Sequence, residues 1–379
     1  MTAYRGALPN DRSSICGIRV LHVGPGWGQR GGIASVLEEL AAQRSRFASE
    51  NILVSFFETH GFRRVGGLLL FLLRDVLHFV AALRKVDIVH FHVSEKGSFY
   101  RKALLFALAR AIGKKTIFHL HSGNFGRFVA DGGYTIRRIA SWFIGNANAA
   151  IGVSSATADV LRRYGGNISS VHVIGNMACL AEHVGPTISS SQTGFPDSPY
   201  VAFAGRFSVE KGVRLLMESL ALLKHQGCVV QLRLAGTGET DVWMRIAVEH
   251  EIDDRVVFAG WLDGDAKLAF YRNAHLFCMP SKFESFGISA LEAMFCGTPV
   301  IGTRLGGFLD LVEEGVTGYL VEPDDAETLA NRIRELVEDP VRAARMGAAA
   351  QERARLRYST EAIVRQYVKC YQAIERNER

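Results

Sequence analysis

The tightest constraint on the fold is a unit that recurs along the chain: a short apolar run, a turn carrying glycine, then a stretch with helical spacing. Ile18 to Val23 is followed by the glycine-rich segment 24–32 and by Ile33 to Ala42, where Val36, Leu37 and Leu40 fall on one helical face. Val201 to Gly205 leads through Arg206 and Lys211-Gly212 into a helix from Val213 to Lys224. Val229 to Ala235 leads into the turn 236–239, and Ala274 to Met279 leads through Pro280-Ser281 into a helix from Gly287 to Phe295, with Gly297 as its C-cap. Short apolar runs alternating with helices mean buried strands in mostly parallel α/β sheets. The 379 residues suffice for two such domains. Segment 187–199 belongs to a stretch rich in Ser and Pro and reads as the linker between domain 1–186 and domain 200–358, with residues 359–379 forming a final helix.

Composition and charge narrow the function classes. Hydrophobic content of 48% with 22% charge is that of a globular chain. Gly66 to Leu83 is apolar enough to suggest a membrane span, but Arg74, Asp75 and His78 in its middle argue against one. It reads as a core helix or as part of a face resting on an anionic membrane. The net charge of +6 divides into +11 for residues 1–190 and −5 for residues 191–379. The basic half suits an anionic partner, such as a phosphorylated acceptor or the inner face of a membrane, or it is a solvated face. No nucleic-acid-binding motif accompanies the charge. Six scattered cysteines without Cys-x-x-Cys spacing, and a polar N-terminus without a signal-peptide pattern, predict a cytoplasmic protein with reduced thiols.

Candidate chemistry centres on Met279 to Val300. Glu292 lies in a helix apolar on nearly every side, where a carboxylate is unfavourable unless something satisfies it. Glu284 precedes that helix, whose start would offer free amides to an anion. Two acids flanking an anion site suit a nucleotide sugar; the plainer reading is a capping acid and a surface acid. Arg206 and Lys211 flank the exit of the domain's first strand, where cations could clamp a diphosphate, or form an exposed pair. Gly26-x-Gly28-x-x-Gly31 matches the dinucleotide fingerprint in form. Pro25 intrudes, however, and Glu58 is the only acid near the end of the next strand, so the glycines are better read as allowing backbone to approach a phosphate or sugar. Two strands, 87–92 and 114–121, end in His-x-His, so each pair points to one face. No cysteine or acid sits nearby at ligand spacing, which leaves substrate contact or packing ahead of zinc. His121, where strand becomes loop, is the best candidate, although strand register leaves His119 open.

These motifs, in this order, resemble glycosyltransferase family 4, the retaining enzymes of GT-B fold: two Rossmann-like doubly wound α/β domains facing a central cleft. The resemblance rests on Pro280-Ser281, Glu284 with Glu292, Gly297-x-Pro299-Val300, Gly306-Gly307 and Gly318, together with Phe203 to Arg206, Lys211-Gly212, Ala235 to Glu239, and Gly31 to Val36. It implies that Arg206 and Lys211 hold the donor diphosphate, and that Glu284 contacts sugar hydroxyls while Phe286, Gly287 and Ile288 meet sugar and phosphate. It further implies that Glu292 bonds the ribose, that Gly236, Gly238 and Glu239 line the donor, that Gly32 lets a loop approach, and that His121 lies near the transferred sugar. The family's final helix packs back on the N-terminal domain. Asn176-Met177 departs from the family's Asn-Gly. No Asp-x-Asp motif is present, and the implied transfer needs no cofactor or metal. The expected partners are a nucleotide sugar, most commonly a UDP-sugar, and a lipid-linked or glycan acceptor. Rival readings are an NAD-dependent oxidoreductase, a sugar-nucleotide epimerase of the same fold, and a non-catalytic nucleotide-sugar-binding subunit.

Overall fold

The computed structural model describes residues 4–5, 17–26, 31–59, 71–166, 168, 170–178 and 199–376. The linker expected at 187–199, apart from Pro199, lies outside these residues, as do Gly28, residues 66–70 of the apolar stretch, Cys16 and Cys179. The chain forms two compact units: Met1–Met177 together with Thr360–Arg379, and Ala178–Ser359. The first unit takes in the helix Thr360–Arg376.

The first unit is built on a seven-stranded sheet. Its strands are β1 (Tyr4–Arg5), β2 (Ile18–Pro25), β3 (Ile52–Thr59), β4 (Ile88–Val93), β5 (Lys115–Leu120), β6 (Ala149–Gly152) and β7 (Val171–Val173), in the spatial order β1-β3-β2-β4-β5-β6-β7. All pairings are parallel except that of the edge strand β1. At that edge Tyr4 pairs with Phe57 and Arg5 with Phe56. Such pairing is carried by main-chain groups, so it leaves no side-chain pattern to read. The parallel strands reverse their direction of build-out between β2 and β4, the place where an open α/β sheet parts its loops.

Helices Gly32–Ala42, Gly97–Ala111 and Ser155–Tyr164 connect successive strands, the last begun by a capping box in which Ser154 and Thr157 bond each other's main-chain amides. Phe91, Phe106, Phe118 and Phe143 form an aromatic centre for the core, with Phe106 and Phe143 4.5 Å apart. Within the apolar stretch, Val76–Leu83 is an amphipathic helix with Phe79, Ala82 and Leu83 buried and Leu77 and His78 exposed. Asp75, at its start, is buried and held by Arg74 at 2.9 Å. The described part of the stretch thus has one face in the core and one outside it. No helix among the described residues is long and apolar enough to cross a membrane. The final helix, Thr360–Arg376, places Tyr367 and Tyr371 on the face formed by β2, β4 and β5.

The second unit is built on six parallel strands: β8 (Tyr200–Arg206), β9 (Gln231–Thr237), β10 (Val256–Gly260), β11 (Leu276–Met279), β12 (Val300–Thr303) and β13 (Gly318–Val321). Their spatial order is β10-β9-β8-β11-β12-β13, a doubly wound Rossmann order whose switch point lies between β8 and β11. Both units therefore have the α/β architecture of the GT-B fold. Four described cysteines are free, and Cys228, Cys278 and Cys370 are buried.

Candidate functional site

In the second unit the site follows from the switch point. The chain leaving β8 runs through Arg206 into a short turn at Val209–Lys211 and then the helix Val213–His225. The chain leaving β11 runs through Pro280 and Ser281 to Glu284 and then the helix Ile288–Phe295. The two loops are bound together by the Lys282 amide, which donates to the Glu210 carbonyl at 2.8 Å. Across them the Lys211 ammonium donates to Glu284 Oε2 at 2.7 Å. Glu284 is 9% exposed, whereas the Lys211 side chain is 32% exposed. A second Glu284 oxygen faces the Phe286 amide at 3.4 Å.

The loop's shape depends on what lies beneath it. The Gly307 amide donates to the Glu284 carbonyl at 3.1 Å, and Gly306 takes a φ of 56°. A Cβ on Gly306 would stand 1.9 Å from that same carbonyl oxygen, so any side chain there would push Glu284 out of place. Gly287, in the left-handed conformation with φ 99°, begins the helix, and no side chain caps it. The helix start thus carries free donors and the positive end of the helix dipole. The other end is closed by a Schellman arrangement: Thr298 N–H bonds the Ala293 carbonyl, and Gly297 N–H bonds that of Met294, each at 3.0 Å.

Glu292 resolves the question its sequence position raised. It is buried, and both oxygens are partnered: Lys267 donates to Oε1 at 2.6 Å and Tyr271 to Oε2 at 2.9 Å. Tyr271 is fully buried, and its phenol is pushed well above its ordinary pKa by burial and then by the Glu292 charge, so it remains a donor. Sequence reasoning missed Lys267 and Tyr271. Their spacing of four on one helix turns them to one side, but nothing in the sequence pairs that side with Glu292.

The remaining donor-side candidates surround the exits of β8 and β9. Arg206 is exposed at the end of β8, and its charge helps hold the Glu210 carboxyl low, after the larger effects of hydrogen bonds from its own main chain and from Ser208. Gly236 pairs with Gly205 across the sheet, and a Cβ on it would lie 1.9 Å from the Gly205 carbonyl oxygen. Gly238 and Glu239 follow, both exposed, with Glu239 at the N-cap of helix Thr240–Glu249.

The other candidates, Gly32 and His121, belong to the first unit. Gly32 is the first residue of its helix. His121 is one of five histidines on a single sheet face: His22 on β2, His90 and His92 on β4, and His119 and His121 at the end of β5. Register puts His22 beside His90 and His92 beside His119. His119 and His121 therefore face the same way, and exposure separates them: His119 is sealed at 0%, while His121 retains 9%. Burial pushes His22 and His121 down to about 3, aided at His121 by the Lys102 charge. Burial, and then neighbouring imidazoles, holds His90, His92 and His119 well below the ordinary value. All five are neutral at pH 7. His22 was missed in the sequence, because a lone histidine in the apolar run 18–23 reveals its face only once the strands are in register.

Two doubly wound units, the second with an acid–ammonium pair and an open helix start at its switch point, define a class of sugar-nucleotide proteins, and comparison agrees with it. The family described as Glycosyl transferases group 1 matches residues 187–353, and Glycosyltransferase Family 4 matches residues 20–180. The chain belongs to glycosyltransferase family 4. It is 29% identical to a glycogen synthase of Mycobacterium tuberculosis over 64% of this chain and 58% of that protein. It is also 29% identical to D-inositol 3-phosphate glycosyltransferase 1 of Catenulispora acidiphila over 93% of this chain and 94% of that one. For the first relatives matched, the chain spans little more than half their length. Among solved structures, Anabaena Alr3699/HepE in complex with UDP and glucose superposes with a TM-score of 0.73 at 23% identity, covering 94% of this chain and 99% of that one.

Proposed function

We propose that this chain is a retaining glycosyltransferase that moves a sugar from a nucleotide-diphosphate sugar, UDP-linked, to a hydroxyl of a lipid-linked or polysaccharide acceptor in the building of a cell envelope, exopolysaccharide or glycolipid. The observation that carries the reading is the Lys211–Glu284 pair, 2.7 Å apart beside an uncapped helix start at the switch point. An ammonium and a carboxylate held side by side can grip one ligand at its phosphate and its sugar hydroxyl together. In this reading Arg206, Lys211 and the amides at Phe286, Gly287 and Ile288 stabilise the charge that grows on the leaving diphosphate. Glu284 orients the sugar, and Glu292 binds the ribose hydroxyls. Gly236, Gly238 and Glu239 line the nucleotide, while Gly32 and His121 serve the sugar end from the first unit. The acceptor hydroxyl attacks from the side the diphosphate leaves and passes its proton to that phosphate, so no protein nucleophile or metal enters. Support for UDP comes from HepE, whose structures hold UDP and UDP-glucose. Support for a lipid-linked or anionic acceptor, met at the cytoplasmic membrane face, comes from the +11 charge of residues 1–190.

The test is slow hydrolysis of a panel of UDP-, GDP- and ADP-sugars by the purified protein, with the anomer released read by NMR. Turnover of a UDP-sugar with retained configuration is expected. Inverted product, or no turnover and no binding of any nucleotide sugar, would overturn the reading. Co-sedimentation with anionic but not neutral vesicles at low salt tests the membrane component.

A further inference from the structure

The histidines of the first unit do more than fill the sheet face. Their hydrogen bonds form one unbroken chain: His119 Nδ1 to His90 Nε2 at 3.0 Å, His90 Nδ1 to the Tyr371 hydroxyl at 2.9 Å, that hydroxyl to His22 Nε2 at 3.4 Å, His22 Nδ1 to His92 Nε2 at 2.9 Å, and His92 Nδ1 to His121 Nε2 at 2.9 Å. At the buried end one nitrogen is left over. His119 Nε2 is inaccessible and has no hydrogen-bond partner among the described residues. The nearby hydroxyl of Tyr367, whose ring centre is 6.1 Å from that of His119, is likewise buried and without a partner. One nitrogen each from His92, His119 and His121 lies within 4.8 Å of the others. Nδ1 of His119 is taken by His90 and Nε2 of His92 by His22, so the nitrogens that can meet are His119 Nε2 with His92 Nδ1 and His121 Nε2, whose mutual 2.9 Å hydrogen bond an ion would replace.

We propose that His92, His119 and His121 form a three-imidazole site for a borderline divalent transition-metal ion of the zinc type. Two ligands two apart on one strand with a third on the neighbouring strand present three nitrogens to one point, as a tetrahedral ion with an open fourth position requires. The ligand set is imidazole alone, which selects zinc, cobalt or nickel over magnesium and calcium. The outer shell is already in place. A metal on those three nitrogens leaves each ligand's single proton on its opposite nitrogen. His92 then donates to His22, and His22 to the Tyr371 oxygen. His119 donates to His90, and His90 also donates to the Tyr371 oxygen. Both arms thus end on one oxygen with two lone pairs, each imidazole keeps one proton, and binding changes tautomers without releasing a proton. Tyr371 is the positioning residue at which the two arms converge. His121, which retains 9% exposure, marks the route of entry. The assignment rests on residues of the first unit and uses neither Lys211 nor Glu284, although it shares His121 with the proposed sugar end.

The test uses the full chain without a histidine tag, stripped with chelator and titrated with Zn²⁺ in a calorimeter and with Co²⁺ by visible absorption. One equivalent per chain and a tetrahedral cobalt spectrum are expected. His92→Gln and His119→Gln should each remove the spectrum. Tyr371→Phe, which keeps all three ligands, should weaken binding by about 10–100-fold at unchanged stoichiometry. Melting of the metal-free variants reports folding. Should those substitutions unfold the protein, His121→Asn at the less deeply buried end gives the same readout. Absence of saturable one-equivalent binding in the unmodified protein, or undiminished binding in a folded ligand variant, overturns the proposal.

Discussion

Tyr271→Phe removes one oxygen atom from a fully buried position and nothing else. In the native unit that oxygen donates to Glu292 Oε2 at 2.9 Å, and Glu292 is itself 6% exposed. Its other oxygen is held by Lys267, whose side chain is 28% exposed and shares its charge with water. The tyrosine bond is therefore the part of the pair that solvent cannot replace. A buried hydrogen bond to a charged group contributes ~1.5–3 kcal/mol, and the substitution removes this donor from the carboxylate oxygen. Tyr358→Phe is the matched control: its hydroxyl donates to the uncharged main-chain carbonyl of Asp310, at 3.2 Å, so ~0.5–1.5 kcal/mol is expected. Urea unfolding should give a larger fall in midpoint for the first variant than for the second, at unchanged slope. If Glu292 holds the ribose of a donor, Tyr271→Phe should also weaken UDP binding by roughly tenfold, which is ~1.4 kcal/mol. A loss of stability no greater than that of Tyr358→Phe would refute the account of how Glu292 is satisfied. A stability loss with unchanged UDP affinity would refute its role toward the ribose.

Glu284→Ala is expected to abolish transfer with the circular dichroism spectrum and melting profile retained; undiminished turnover would remove Glu284 from the site. Arg206→Ala should weaken UDP binding by about tenfold in calorimetry, since ~1–2 kcal/mol is typical of an exposed charge contacting phosphate. In the first unit, burial acts to raise the pKa of Asp87, but hydrogen bonds from the side chain and main chain of Arg19, with the charges of Arg19 and Lys114, outweigh it and hold the carboxyl low. Its stabilising contribution is thus complete above the unfolded carboxyl value of about 4 and is lost as pH falls through the lower folded value. Asp87→Asn should flatten that acid limb of the stability curve, as measured by thermal melts across pH.

The elements that build the donor-side site are written plainly in the sequence. β8, β9 and β11 are apolar runs ended by Gly205, Gly236 and Pro280, and the helix Ile288–Phe295 shows both its glycine start and its glycine stop. The unusual position of Glu292 is legible too, because a carboxylate among Leu291, Ala293 and Met294 violates the local pattern. Its remedy is not legible: Lys267 is 25 residues away on another helix, and such contacts have no period. The same holds for His22, whose partners depend on strand register, and for β1, whose two residues are recruited by the open edge of β3 rather than by their own side chains. Helices Phe125–Asp131 and Gly133–Gly145 escaped because glycines at 126, 132, 133 and 145 interrupt what would otherwise be an apolar periodic stretch.

The order in which the chain is made matters for the histidine face. The second unit is one continuous stretch and can close as soon as residue 359 has been synthesised. The first unit cannot, because Tyr367 and Tyr371, which pack on His22, His90 and His119, follow the whole second unit in the chain. Until the segment after residue 359 has been made, that face of the sheet lacks the tyrosines that pack on it. Docking of the final helix therefore completes the burial of His22, His90 and His119.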